Sequence, residues 1–344
     1  MIETETILHP NNKIVETSMF SHIMAITLNP QSNYTEGIVR CITSREGNVH
    51  VAGYTDRSAL YKVSGNPFSK LTLDSPLTIV QEEEIIQSLI TPGFDYLGLE
   101  DPDLWLDEST GTLHLYFTIP LIARDPKVGY SLIHLGHAVG TNLDSLRMTE
   151  PVLRASKTDF SHSVAKELSI APLNSQGVRF NLFEGVHKSQ KHAHECSVIQ
   201  AAVASDMGTT WEVMKTVFHP ESASIPWIAG HASPGPLLPK SFLDIGEGKV
   251  LGIINGREEN QIIGEEVHYG MFSTGLCIYN YETATIEWVS ETPLIQDIEA
   301  KHITFASQFI ETEPGKGILY AHIDDSFIRA YELRAEELRI ALPA

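Results

Sequence analysis

Short apolar or alternating runs recur along the whole chain, divided by Gly, Asn, Asp and Pro. GIVRCITS, NVHVAGYT, TLHLYFTI, RFNLFEGV, SVIQAAVA, KVLGIING and GLCIYNYE are examples. Runs of this length between turn formers predict β-strands. Long helical periodicity is nearly absent, and the clearest helical stretch is a short one near RAEELRI. Strands do not alternate with long helices, which argues against a parallel α/β sheet.

The runs also repeat. LTLDSPLTIV, RMTEPVLR and IEWVSETPLI each carry a proline inside an apolar segment, and WEVMKTVFHP is a looser copy. The prolines are Pro76, Pro151, Pro293 and, for the looser copy, Pro220, at near-regular spacing. Proline suits an edge strand, which can lack a ladder donor. Each copy therefore predicts the outermost strand of a four-stranded unit.

The units parse alike. The first reads EGIVRCIT, NVHVAGYT, ALYKVSG, LTLDSPLTIV, and the second EDPDLWLD, TLHLYFTI, YSLIHLGHAV, TEPVLR. The third reads KELSIAPL, VRFNLFEGV, CSVIQAAVAS, WEVMKTVFH, and the fourth ASPGPLLP, KVLGIINGR, YGMFSTGLCIYN, IEWVSETPLI. A fifth, HITFASQFI, GILYAHID, SFIRAYEL, has three strands and a charged tail. KIVETSMF or HIMAITLN is expected to supply its missing edge and close the ring. The prediction is an all-β, five-bladed β-propeller forming a single domain over residues 1–344. Its blades are expected at about 36–90, 98–156, 164–220, 229–296 and 300–335, with 1–35 closing the ring. A large β-sandwich or two smaller β domains are the competing readings. ASDMGTTW resembles the Asp box of sialidase-type propellers, with Ala204 in place of the usual Ser. That box is a hairpin turn between outer strands and carries no chemistry.

In such a ring the inner strands converge on one mouth of a central channel. The inner strand of the second unit opens with GLEDPDLW, which puts Glu100, Asp101 and Asp103 around Pro102. The corresponding positions in the other units are Glu36, Glu167, His231 and His302. Carboxylates crowded around a buried channel are costly unless they bind something or share protons. Crowding also raises pKa values, as a general acid requires. Two carboxylates flanking a sugar suffice for glycosidic cleavage: one protonates the leaving oxygen, the other activates water or attacks. A gap of about 6.5–9.5 Å leaves room for water and gives inversion.

Charge narrows the partner. The chain of 344 residues has a net charge of −20, which disfavours nucleic acid and anionic membranes and favours a neutral ligand; a small carbohydrate, which the paired carboxylates suggest, is one. No apolar run is long enough for a transmembrane helix. MIETETILHP lacks the marks of a secretory signal, and Cys41, Cys196 and Cys277 suit reduced thiols. A cytoplasmic location is the expectation.

Several segments resemble the five-bladed propeller glycosidases of glycoside hydrolase families 43 and 130. EDPDLWLDESTGTLHLYFT resembles the family 43 segment in which Ile-Asp-Pro opens an inner strand, and also the Glu-Asp-Pro-Arg segment of family 130. AGHASPGPLLP with GKVLGIINGRE is similar to the Gly-His region of family 43 and the Gly-Ala-Gly-Pro-Pro region of family 130. GILYAHIDDSFIRAYEL is similar to the closing Tyr-Tyr-Gly-Ala-Ala-Asp segment of family 130. The similarity covers the second to fifth units. The family 43 pattern implies Glu36 as general base, Asp101 as the carboxylate that orients the acid and raises its pKa, and Glu167 as general acid. It also implies His231 near a bound cation or water. A strand-end ion pair with Lys166 or Arg179 is the competing reading for Glu167. The family 130 pattern makes Asp101 itself the proton donor. That family's phosphorylases grip phosphate with arginines; here Asp103 replaces one, and Glu184 falls where another would be. Carboxylates there repel phosphate. The resemblance thus implies hydrolysis with inversion, a mannoside phosphorylase or mannosidase being the first rival and a non-catalytic sugar- or protein-binding propeller the second.

Other residues complete the expectations. Trp227, in SIPWIAG, is placed as a sugar-stacking platform, while Trp105 packs between blades. Arg257 and His302 are placed as further substrate contacts, with Glu100 and Asp103; an ion pair with Glu258 or Glu259 is the competing reading for Arg257. Asp324 and Asp325 either line the fifth-blade rim or form a turn. HKSQKHAHEC has His-x-His spacing that can bind zinc, but reads as a hydrophilic loop. No cofactor is required and no metal ligand is assigned; a calcium or sodium ion is a candidate occupant of the channel.

Overall fold

The structure is a computed structural model that describes residues 13–343 apart from 126, 127, 129 and 190–194. In blade one, β1 (Val15–Glu16), β2 (Ile23–Leu28), β3 (Glu36–Glu46), β4 (Thr55–Asn66) and β5 (Lys70–Pro76) pair in the order β1-β5-β4-β3-β2. A helix, α1 (Glu82–Leu89), leads to blade two. There β6 (Phe94–Tyr96) and β7 (Glu100–Asp107) share one neighbour, β8 (Thr112–Ala123). The blade continues through β9 (Leu132–Gly140) to β10 (Arg147–Met148). Blade three is β11 (Lys166–Ser169), β12 (Arg179–Lys188), β13 (Glu195–Ala204) and β14 (Glu212–Phe218). Blade four runs β15 (His231–Leu237), β16 (Lys249–Arg257), β19 (Phe272–Asn280), β20 (Thr285–Val289), with β17 (Gln261–Ile263) and β18 (Glu266–His268) as a separate hairpin. Blade five is β21 (Thr304–Glu313), β22 (Lys316–Ile323) and β23 (Phe327–Arg334), followed by α2 (Ala335–Ala341) where RAEELRI predicts a helix. The chain is thus a single-domain, five-bladed β-propeller.

Apolar side chains fill every interface between blades. Leu60 and Phe117 meet between blades one and two, Phe183 and Trp211 join the blade two–three cluster, and Ile199 and Tyr279 meet between three and four. Leu251 and Leu319 join four to five, and Ile26 and Tyr320 join five to one. Successive side chains point to opposite faces, so the near-continuous apolar runs give each sheet two apolar faces, and closing the ring covers both. In ASDMGTTW, Asp206 accepts from the Gly208 amide at 2.7 Å and the buried Trp211 donates to the Asp206 carbonyl at 3.2 Å. This hairpin joins β13 to β14, as a structural turn should.

Ring closure differs from the sequence expectation. HIMAITLN forms β2, the innermost strand of blade one, so that blade begins one strand before residue 36. KIVETSMF carries β1 on the outer edge of blade one. Beside it, the Ile14 amide donates to the Ile328 carbonyl (3.1 Å) and the Ile14 carbonyl accepts from the Leu71 amide (2.8 Å). These two bonds tie blade five to blade one, and blade five keeps three strands among the described residues.

Two features position the mouth of the ring. The inner strands of blades one, two and three each carry a bulge at a residue in left-handed backbone: Ala25 (φ 46), Asp101 (φ 47) and Glu167 (φ 48). A bulge turns two successive side chains toward one side. Gly98 prepares the second: at φ +102 it lies where a Cβ would sit 1.9 Å from the Ser58 carbonyl, a conformation and approach that only glycine accepts. The β17–β18 hairpin meanwhile reaches past blade five to the loop before β4. Ala52 donates to the Val267 carbonyl and Tyr269 to the His50 carbonyl, both at 2.9 Å.

Buried histidines give the fold a pH dependence. His137 lies between His114 (2.9 Å) and Thr149 (2.8 Å), and burial, then His114, pushes its pKa down to about 3. His137 is neutral in the folded chain but titrates near 6.5 when unfolded. Its contribution is therefore complete above about pH 6.5 and falls away as pH drops toward about 3. We expect the stability difference between pH 7 and pH 5, measured by urea unfolding, to shrink by about 2 kcal/mol in His137→Gln. An unchanged difference would contradict this.

Candidate functional site

A cavity of about 590 Å³ lies where the inner strands converge, a volume suited to a small ligand. The bulges deliver its chemistry. Glu100 and Asp101 enter from blade two, Lys166 and Glu167 from blade three. The matching pair in blade one is Met24–Ala25, so that inner strand brings no carboxylate. Blade one contributes Arg40 of β3 instead. Its Nη1 donates to Asp101 Oδ1 (2.8 Å), its Nη2 to Glu100 Oε1 (2.7 Å) and its Nε to Ser58 Oγ (2.8 Å).

Electrostatics separates the carboxylates. Burial, then the neighbouring Asp101 charge, pushes Glu167 well above the usual carboxylate range. Burial also pushes Glu100 upward, against the pull of Arg40. Glu184 of β12 behaves oppositely: burial opposes its charge, but His231 and Lys166 outweigh that and hold it low. Its Oε2 is 3.2 Å from His231 Nε2 and its Oε1 3.4 Å from Lys166 Nζ. Across the cavity, Asp325 Oδ1 faces His322 Nε2 at 3.2 Å. On the blade-four side, Arg257 stacks over Tyr269 at 4.3 Å. Polar atoms of His50, Arg257, Asn260 and His322 in this wall are buried without a hydrogen-bond partner in the protein.

Of the residues singled out in the sequence, Glu100, Asp101, Glu167, His231, Arg257 and His302 line this cavity. His302 stacks on His50 with ring centroids 3.4 Å apart. Glu36, Asp103 and Trp227 do not line it. Glu36 begins the second strand of blade one and is exposed. Asp103 lies beyond the bulge on β7, where burial pushes its carboxyl up to about 7. Trp227 is only 5 % exposed; its Nε1 donates to the Ser290 carbonyl at 3.0 Å. Its ring fills the slot left by Gly256 and Gly275, where added Cβ atoms would come within 2.6 and 2.5 Å. It is a core residue. Trp227→Ala should cost about 3–5 kcal/mol of stability without changing KM for a sugar; a raised KM with unchanged melting would restore the stacking role. Trp105 packs between blades, with Arg179 over its ring at 5.1 Å.

Arg40, Lys166 and His322 join the site without any assignment to it from sequence; Glu184, which the resemblance puts where an arginine would be, and Asp325, a rim or turn residue by sequence, line the same cavity. Arg40 and Glu184 had a signal: each is a lone charge inside an apolar strand, which requires a partner. In HKSQKHAHEC, residues 190–194 lie outside the described residues. Among those described, no group of three or more His, Cys, Asp or Glu is arranged to hold a metal. No described helix is long and apolar enough to cross a membrane.

No family model and no curated protein matches the chain. Solved structures do. A β-1,2-mannobiose phosphorylase from Listeria innocua, in complex with β-1,2-mannobiose, aligns at 12% identity, covering 95% of each chain, with a TM-score of 0.61. A glycosyl hydrolase from Bacteroides ovatus aligns at 14% identity over 94% of this chain and 86% of its own, TM-score 0.63. A mannose phosphorylase from Leishmania mexicana, in complex with phosphate, aligns at 11% identity over 100% and 91%, TM-score 0.54. At such identities the likeness is one of fold.

Proposed function

We propose that the protein is a carbohydrate-active enzyme, a glycoside hydrolase that cleaves a short neutral oligosaccharide or glycoside with inversion. The observation that carries this reading is the pairing of Asp101 with Glu167 on equivalent bulges of adjacent blades, facing one cavity. Glu167, kept protonated by burial and by Asp101, is the group that protonates the leaving oxygen. Asp101, held by Arg40, is the fixed charge that keeps it so. The neighbours named as glycosyl hydrolase and phosphorylases support a sugar as the substrate class.

Phosphorolysis is the second reading, and Arg257 favours it. Among the described residues this guanidinium has no carboxylate within ion-pair distance, and it faces the cavity. Against it stands Glu184, a charged carboxylate in the same wall. The test is a panel of nitrophenyl α- and β-glycosides, with and without phosphate, following the product anomer by NMR. Phosphate-independent release of the inverted sugar is the expected result. Turnover only with phosphate would replace hydrolysis by phosphorolysis. A retained anomer would overturn the stereochemistry.

A further inference from the structure

An inverting hydrolysis needs a base for its water, and the inner strand of blade one lacks it: Ala25 occupies the position that Asp101 and Glu167 hold in the next blades. Asp56 of β4 also lines the cavity, but Arg45 engages both its oxygens, at 2.7 and 2.6 Å. We propose that Asp325, on the β22–β23 turn of blade five and positioned by His322, is that base. The proposal rests on the hydrolase reading above.

Asp324 and Asp325 both adopt left-handed backbone, at φ 50 and 47. The two have different tasks. Asp324 is consumed by structure: its carboxylate accepts from the amides of Lys301 (2.9 Å), His302 (2.8 Å) and Ile303 (2.9 Å), fixing the approach to β21. Asp325 is left to face the cavity, 6 % exposed. His322 holds one of its oxygens at 3.2 Å, and the His322 ring is itself fixed by stacking on Phe305 at 5.1 Å and 14°. Burial opposes the charge, but His322, then Arg40 and Arg45, hold Asp325 below the usual range, so it is ionised when Glu167 is protonated. Among the described residues, Asp101, Glu167 and Asp325 are the cavity-lining non-glycine residues in left-handed backbone. Strain of this kind persists where the surrounding structure enforces it, commonly at reacting sites.

The step balances. Asp325 takes a proton from water as the water oxygen bonds to the anomeric carbon. The glycosidic C–O bond breaks, its electron pair stays on the leaving oxygen, and Glu167 gives that oxygen its proton. Exchange with solvent resets both carboxyls. Glu167 and Asp325 stand on non-adjacent blades, as attack from the face opposite the leaving group requires.

The test compares Asp325→Ala and Asp325→Asn with wild type on two substrates of the same sugar, an alkyl glycoside and a glycosyl fluoride. Base removal should lower kcat about 10³-fold on both, since water must be activated whatever leaves. Added azide should restore turnover in Asp325→Ala and give a glycosyl azide of inverted configuration. Either variant keeping more than about a tenth of wild-type kcat, or a folded Asp325→Ala that azide does not rescue, would overturn the assignment. Wild type inactive on both substrates would remove the hydrolase reading itself, and the base with it.

Discussion

Asp101→Asn is expected to lower kcat by about 10³-fold or more while the chain stays folded. Asparagine keeps the shape of the side chain, and Arg40 keeps Glu100 and Ser58 as partners. What disappears is a negative charge beside Glu167. That charge is, after burial, the largest influence raising the Glu167 pKa. Its loss lets the Glu167 pKa fall, so the acid loses its proton at a lower pH. The alkaline limb of the kcat–pH profile should therefore move toward acid, and some activity should return below neutrality. Circular dichroism and a melting curve give the folding control. A variant with wild-type kcat at pH 7 would remove Asp101 from the chemistry.

Glu167→Gln should separate protonation of the leaving group from every other step. On an alkyl glycoside the loss should be about 10²–10⁴-fold, the usual worth of general acid catalysis. On a glycosyl fluoride, whose C–F bond breaks to release fluoride without general-acid protonation, activity should stay near wild type. The alkaline limb should vanish for the substrate that still turns over. Equal losses on both substrates would assign Glu167 to binding, in a pair with Lys166. These outcomes differ from those for Asp325, where both substrates fail together.

The strand units were legible in the sequence because alternation and edge prolines repeat blade by blade. Pro76 ends β5, and Pro151, Pro220 and Pro293 each follow an outermost strand. The phase of the first unit was not legible. IMAITL and GIVRCI are both fully or almost fully buried, so periodicity cannot tell an innermost strand from its neighbour. That one-strand shift put Glu36 where Ala25 stands. That Asp101 and Glu167 line the cavity was legible because a run such as EDPD or AKE at a strand start is visible as sequence. Arg40, Glu184 and Asp325 meet them only through folding, from a second strand or a turn. Trp227 was misplaced because the two glycines that make its slot, Gly256 and Gly275, lie on strands remote from it in sequence.

The hairpin that reaches from blade four to the loop of blade one has a bearing on what can be threaded into the ring. Val49, His50, Ala52, Val267 and Tyr269 all border the cavity, and the backbone bonds between the two segments pass over the blade-five side. The recess is therefore walled there by polypeptide instead of opening as a trough from rim to rim. On that side the wall favours an occupant that enters end-on over one that lies across the rim.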